Sequence, residues 1–211
     1  VLRENVGVQD QIQSAFGGLN RIDIRQDSSF EVTPLVVQAE RLASLQSHLL
    51  LLYTGLSRHA SEIAAEQVAT MDQKVRELKT MRAMVDEGEK ILAGKGSLRD
   101  FGRLLHDSWE LKRSLSSKIA PASVNEIYDA ARKAGADGGK LLGAGGGGFM
   151  LIFVEPERRA AVLGALDKLL PVLGLDKMLS EQQAPQRLNN AFGALDRIMP
   201  GLGNVARQNA G

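Results

Sequence analysis

The sequence predicts an α+β fold, with short strands interleaved with long helices and no regular β-α-β repeat. Three observations carry this. An alternating apolar segment at Leu19–Ile24 is followed by a turn cluster and a second extended run. Helix start and stop signals punctuate residues 57–135. A continuous apolar run, Phe149–Val154, follows directly on a glycine-rich stretch.

Residues 1–35 alternate extended pieces with turns. After Gly17-Gly18, apolar residues recur at roughly every second position through Ile24, as in a half-buried strand. Asp27-Ser28-Ser29 is a turn cluster, and Phe30 to Leu35 reads as the returning strand. Residues 36–47 are expected as a short helix, followed by a strand at Leu49–Thr54 that Gly55 ends. One long helix is expected from about Ser57 to Leu92, with Val68, Met71, Val75, Leu78 and Val85 forming an apolar stripe at three-four spacing.

Gly94-Lys95-Gly96 breaks that helix. Ser97 with Asp100 reads as a capping box for the next, about 98–117. Pro121 interrupts, Ser123 with Glu126 caps a third helix, and Gly135 stands at its C-terminal stop. Phe149–Val154 is a buried strand by composition and length, and Pro156 opens a last helix, 156–170. Residues 174–211 differ in character: rich in Gln, Asn, Ala and Gly, sparse in apolar positions. Ala191–Ile198 echoes Ala15–Ile22, but one short echo does not make a repeat architecture.

At 211 residues the chain is long enough for one large domain or two small ones. With 44% hydrophobic and 24% charged residues, the composition is that of an ordinary soluble globular protein. A formal net charge of +1 gives no electrostatic reason for nucleic acid or an anionic membrane as partner. The absence of cysteine excludes a disulfide framework and a thiolate zinc site, and fits a reducing cytoplasm. Apolar runs such as Leu49–Tyr53 are far too short to span a bilayer, and no secretory leader is expected. A start at Val1 rather than methionine raises the expectation of a fragment.

Several residues are suited to chemistry. Asp10, in Gly7-Val8-Gln9-Asp10-Gln11, follows a flexible glycine between two amides, which suits a general base held near a substrate hydroxyl. The competing reading is a turn or cap aspartate. The glycine run formally contains G-x-G-x-x-G as Gly143, Gly145 and Gly148. The dinucleotide-binding version needs a strand before and a helix after, and here the order is reversed. A Walker A loop fails too, because Leu141 follows Lys140 and Ala134 holds the place of the first glycine. Two readings survive. Either the backbone N–H groups of small residues face an anion or admit a close neighbour, or the run is a hairpin-like connector. Arg58, Lys112, Arg113 and Lys140 are suited to a phosphate, or are ordinary surface charges. His48, His59 and His106 show no metal-ligand spacing and read as structural, so no metal site is expected. Trp109 and the methionines read as core.

Together these segments resemble the GHMP kinases. Glu4–Gln11 with Ala15-Phe16-Gly17-Gly18 is similar to that superfamily's catalytic-aspartate motif. Gly139-Lys140-Leu141-Leu142-Gly143-Ala144 with Gly145–Phe149 is similar to its third, glycine-rich motif. Leu51-Leu52-Tyr53-Thr54-Gly55, Ser57-Arg58, Ala60–Ile63, Asp100–His106 and Ser108–Arg113 resemble the heptose 7-phosphate kinase branch. The resemblance covers about residues 1–170, with four motifs in the right order.

The resemblance implies a GHMP C-terminal, ferredoxin-like domain with long helices at 36–173, preceded at 1–35 by the end of the N-terminal catalytic domain. Residues 174–211 are a divergent tail where one more strand is expected. It implies ATP and Mg²⁺, and phosphorylation of a seven-carbon sugar 7-phosphate at its anomeric oxygen, in the route to activated heptoses. Asp10 would take or orient the hydroxyl proton. The N–H groups of Gly145, Gly146, Gly147 and Gly148, with Gly143 in the same motif, would lie by the phosphate loop. Arg58, Lys112, Arg113 and Lys140 become candidates for the 7-phosphate. The family's Pro-x-x-x-Gly-Leu-Gly-Ser-Ser-type loop has no match in these residues, so whether this chain is itself an enzyme stays open. The alternatives are a kinase for another sugar, such as fucose or galactose, and a non-catalytic truncated domain or interaction module. The expected partner is a small sugar phosphate in the cytoplasm, with no nucleic acid and no membrane, and a homodimer is left open.

Overall fold

In the computed structural model the described residues are 8–56 and 60–175. They fall into two compact units, one holding residues 8–36 and the other holding residues 37–175.

The first unit is a helix and a hairpin. α1 spans Gln9–Phe16 and β1, Asn20–Ile24, pairs antiparallel with β2, Phe30–Pro34, with Ile22 opposite Val32. Asp27 closes the turn: its carboxylate accepts from the Ser29 N–H at 3.0 Å and the Ser29 hydroxyl at 2.6 Å. These two bonds hold its carboxyl below the usual carboxylate range. Phe16 meets Phe30 edge to face at 6.2 Å, fastening the helix to the hairpin. The strands lie where alternation placed them, but α1 stands where extended chain was expected. Its signal is thin, because Val8 at its N-terminus offers no side-chain cap. Its large apolar residues are only Ile12 and Phe16, at four-residue spacing.

The second unit is built on a three-stranded antiparallel sheet in the order β3-β5-β4. β3 spans Leu49–Tyr53, β4 Gly138–Leu141 and β5 Phe149–Phe153. Leu50 pairs with Ile152, and Gly139 with the same Ile152 from the other side. On this face Leu50, Leu141, Met150 and Ile152 meet Val124, Ile127, Val162, Leu166 and Leu170 in the core. Those residues come from α6, Ala122–Lys133, and α7, Arg159–Val172. The pleat sends Gly138, Lys140, Leu151 and Phe153 to the opposite face. There α5, Arg99–Arg113, packs, and a Cβ on its Gly102 would lie 2.6 Å from the Phe153 ring.

The remaining helices are α2, Ala39–His48, α3, Ala60–Thr70, and α4, Val75–Ala93. Arg41 of α2 donates to the carbonyls of Ile91, Leu92 and Gly96, satisfying acceptors that the end of α4 leaves open. The single helix expected over 57–92 is instead two, with a 3₁₀ turn at Met71–Gln73 between them. The expected stripe is not core. Val68, Met71, Val75 and Val85 are between 44% and 59% exposed. α4 instead buries Gly88 and Leu92, with Gly88 set against Leu104 of α5. The buried face of α4 is thus not the one the apolar stripe marked, but the one in contact with α5.

The helix starts also differ from expectation. Ser97 Oγ accepts from the Arg99 N–H at 3.2 Å, while Asp100 turns to Arg103 at 2.8 Å, so no reciprocal box forms. α6 begins one residue before Ser123, at Pro121-Ala122, without a side-chain cap. Gly135 does end it, in the left-handed region at φ +110°. The last helix opens with a 3₁₀ turn at Pro156–Arg158 and runs on to Val172. β4 has no counterpart in the sequence reading, since a four-residue strand with two glycines carries almost no β signal. The 174–211 tail lies outside the described residues from 176 onward. No helix among the described residues is long and apolar enough to cross a membrane.

Candidate functional site

The glycine-rich motif is the link between β4 and β5. Leu142 donates to the Phe149 carbonyl at 2.8 Å, closing a hairpin whose tip is residues 143–148. The tip is anchored to the body. Gly146 N–H donates to Ile119 O at 2.8 Å and Gly148 N–H to Leu56 O at 2.9 Å. Thr54, fully buried, donates to Gly148 O through both its N–H, at 2.8 Å, and its hydroxyl, at 2.9 Å. Gly145 has φ +121°, and a Cβ there would stand 2.9 Å from Ile119 Cα; one on Gly147 would stand 2.4 Å from Leu56 O. The run is therefore a hairpin connector and also a close-packing device. Two of its N–H groups are committed to the protein.

Two lysines meet at the base of this hairpin. On α5, Gly102, Leu105 and Trp109 are buried at helical spacing, and Lys112 continues that stripe, half-buried. Its ammonium donates to the carbonyls of Leu141, at 3.4 Å, and of Gly143. Lys140 of β4 points to the α5 side of the sheet, in a row with Leu151 of β5 and Leu51 of β3. Burial pushes the Lys112 ammonium down to about 8, and the neighbouring charge of Lys140 adds to the shift. Burial alone lowers Lys140. Among the described residues no carboxylate pairs with either one. Two desolvated cations side by side without a counter-charge are electrostatically unfavourable.

The other sequence candidates fall elsewhere. Arg113 is turned to Glu110, at 2.6 Å, and to Asn125 at 3.3 Å, so its guanidinium is engaged within the protein. Arg58 lies outside the described residues. Asp10 falls in the first turn of α1, in the other unit. His48 stacks on Phe153 at 5.0 Å and His106 meets the Tyr128 hydroxyl at 2.7 Å, while His59 lies outside the described residues. Trp109 is fully buried, as expected, but Met71 is 45% exposed. No cluster of three acidic or histidine side chains that could hold a metal occurs among the described residues.

Sequence reasoning passed over two aromatic residues. Tyr53 and Phe149 are directly paired across β3 and β5, their rings 5.1 Å apart and tilted by 45°. They are 39% and 37% exposed, one pleat row beyond Lys140 on the same face. Strand alternation held the signal: two aromatics ending two apolar strands on one face. The pairing that brings them together does not show in either segment alone.

The two N–H groups of Gly146 and Gly148 are taken, and no acidic cluster is present among the described residues.

Comparison with known proteins bears on the family and the fold. The family model described as GHMP kinases C terminal matches residues 89–172. The chain is 31% identical over 175 residues to the D-glycero-alpha-D-manno-heptose 7-phosphate kinase of Campylobacter jejuni, an alignment covering 79% of this chain and 50% of that protein. It is 34% identical over 171 residues to the L-fucokinase/L-fucose-1-P guanylyltransferase of Bacteroides fragilis, covering 74% of this chain and 17% of that one. Among solved structures, a D-glycero-D-manno-heptose 1-phosphate kinase from Bacteroides thetaiotaomicron superposes with TM-score 0.53 at 29% identity, over 77% of this chain and 42% of the other. The L. major mevalonate kinase shares the fold, with TM-score 0.59 at 22% identity, over 72% of this chain and 45% of that one. The chain thus spans half the length, or less, of these relatives. The α+β unit with its long helices and anchored glycine hairpin is a GHMP kinase C-terminal domain.

Proposed function

We propose that this chain is the acceptor-side part of an ATP-dependent sugar-phosphate kinase, acting on a heptose 7-phosphate at its anomeric hydroxyl in a cytoplasmic route to activated heptoses. The observation that carries the reading is the anchored glycine hairpin with two unpaired cations at its base. Backbone kept free of side chains next to uncompensated positive charge suits a ligand bearing phosphate. The similarity to the Campylobacter jejuni kinase over four-fifths of this chain supports the same substrate class. Asp10 is the general base: its carboxylate receives the proton of the attacking hydroxyl, whose oxygen bonds to the γ-phosphorus as ADP leaves. The triphosphate would be gripped by a phosphate loop that nothing in these residues matches.

The test is ADP release with Mg-ATP and a panel of sugars and sugar phosphates, alongside Asp10→Asn. Turnover on heptose 7-phosphate, lost in the variant, is expected from a protein that includes the nucleotide-binding portion. Full turnover in Asp10→Asn would overturn the role of Asp10. A second reading, a kinase for an unphosphorylated sugar, is supported by the fucokinase relative. It predicts preference for free fucose or galactose, to which the lysine pair would be irrelevant.

A further inference from the structure

The sugar-kinase reading leaves open which residues hold the acceptor, and the second unit offers a specific answer. Lys112 has three ammonium hydrogens and directs two toward the carbonyls of Leu141 and Gly143. One donor is left. The Lys140 ammonium makes no hydrogen bond or ion pair among the described residues, and Leu151 and Leu51 stand along its row of the sheet. Other arginines near the sheet are occupied. Arg99 holds Asp137 at 2.8 Å, Arg113 holds Glu110, and Arg159 donates to Leu49 O at 3.0 Å.

The same face continues into the Tyr53–Phe149 pair. Adjacent rows on one face of a sheet are about 7 Å apart, two residues along the strand. That is the scale of one sugar ring. Exposed aromatic rings offer an apolar surface to the C–H face of a carbohydrate, with polar groups needed only at its rim. Two half-exposed rings beside two unpaired cations therefore match an amphiphilic ligand with one strongly anionic end.

We propose that Lys112 and Lys140 hold the phosphate monoester of a phosphorylated acceptor sugar, whose carbon skeleton lies on the exposed rings of Tyr53 and Phe149. This rests on the sugar-kinase reading for the identity of the ligand, but its geometry is independent of turnover. Lys112 also acts as a positioning residue, since the carbonyls it bonds lie at the start of the glycine hairpin. The depressed lysines fit the same picture, because an anion between them would restore their charged forms.

The test is calorimetric binding to the full 211-residue chain at neutral pH, with heptose 7-phosphate, free heptose and Mg-ATP as separate probes. Heptose 7-phosphate is expected to bind at least tenfold more tightly than free heptose. Lys140→Gln and Lys112→Gln should each weaken the phosphorylated sugar by about tenfold to a hundredfold, the effect of losing one hydrogen bond to a charged group. Neither should alter the free sugar. Lys140→Arg should retain most of the affinity, and Tyr53→Ala should weaken both sugars alike. Lys79→Gln, an exposed cation on α4, controls for net charge. Thermal melts show that each variant is folded. Unchanged binding in Lys140→Gln, no binding of the sugar phosphate at millimolar concentration, or loss confined to Mg-ATP would each overturn the proposal. Turnover is scored separately. Lysine-dependent binding by this chain, with no turnover on the sugar phosphate by a protein that includes the nucleotide-binding portion, keeps this inference and sinks the activity reading, whereas turnover there that is indifferent to Lys140 does the reverse.

Discussion

A Cβ on Gly138 would stand 1.8 Å from the carbonyl oxygen of Gly102, so β4 and α5 touch backbone to backbone. That contact sets the depth at which α5 lies against the sheet. It therefore also sets where Lys112, further along the same helix face, meets the glycine hairpin.

Gly138→Ala should be strongly destabilising. The clash is with backbone rather than with a flexible side-chain end, and overpacking of this kind typically costs about 1–3 kcal/mol, sometimes more. Gly96→Ala has open space around the new methyl and should change stability by less than about 0.5 kcal/mol. Urea unfolding of the two variants checks the contrast, and equal midpoints would contradict the packing described.

Asp137 is 8% exposed and receives Arg99 at 2.8 and 3.1 Å, tying the start of α5 to the start of β4. The Asp137 carboxylate raises the Arg99 guanidinium further, with Glu155 adding to it. Arg99→Met leaves a buried carboxylate without its cation and should lower the unfolding midpoint measurably. Asp137→Asn in the same background should recover part of the loss. A double-mutant cycle measures this, and a coupling near zero would refute the pair.

The Lys112 ammonium has a folded value near 8 against an ordinary 10.5. Between those values the unfolded chain binds more protons than the folded one, so stability contributed by this group rises with pH. Tyr128 acts in the opposite direction at higher pH. Burial raises its hydroxyl to about 12 from 10.0, so above pH 10 the unfolded chain loses that proton first and stability falls. Unfolding free energies measured at intervals from pH 7.5 to 10 should therefore show a rise that Lys112→Met flattens. A slope identical in the variant would assign the rise to other groups.

The exposed stripe on α3 and α4 gives a plain packing test. Val75→Lys, at 46% exposure, should change stability by no more than about 0.5 kcal/mol, whereas Leu92→Ala should cost about 2–5 kcal/mol. Thermal unfolding distinguishes them. A large loss in Val75→Lys would contradict the exposure of this stripe.

The strands and most helix ends were legible because their signals are local. Alternation at Leu19–Ile24, the apolar run at Phe149–Phe153 and the glycine stop at Gly135 each act within a few residues. α1 and β4 were missed because they hold little local signal of their own. β4 exists through its pairing with β5, and a pairing partner is not visible in a four-residue window. The apolar stripe on α4 marked a face that stays exposed, because contact with α5, which no local window shows, buries Gly88 and Leu92 instead.

The sequence by itself determined the α+β class, the order of most elements, the glycine hairpin as a place where side chains are excluded, and four basic candidates. Tertiary structure decided which basic residues share a site. Lys112 lies on a helix and Lys140 on a strand, and each is half-buried on the face where the two elements meet. Their meeting depends on the helical stripe Gly102–Lys112 and the pleat of β4 facing one another across a contact that only glycine allows. Arg113, one residue further along α5, turns about 100° around the helix axis and finds Glu110 instead. Chemistry was written in the residue types; proximity came from the geometry of packing.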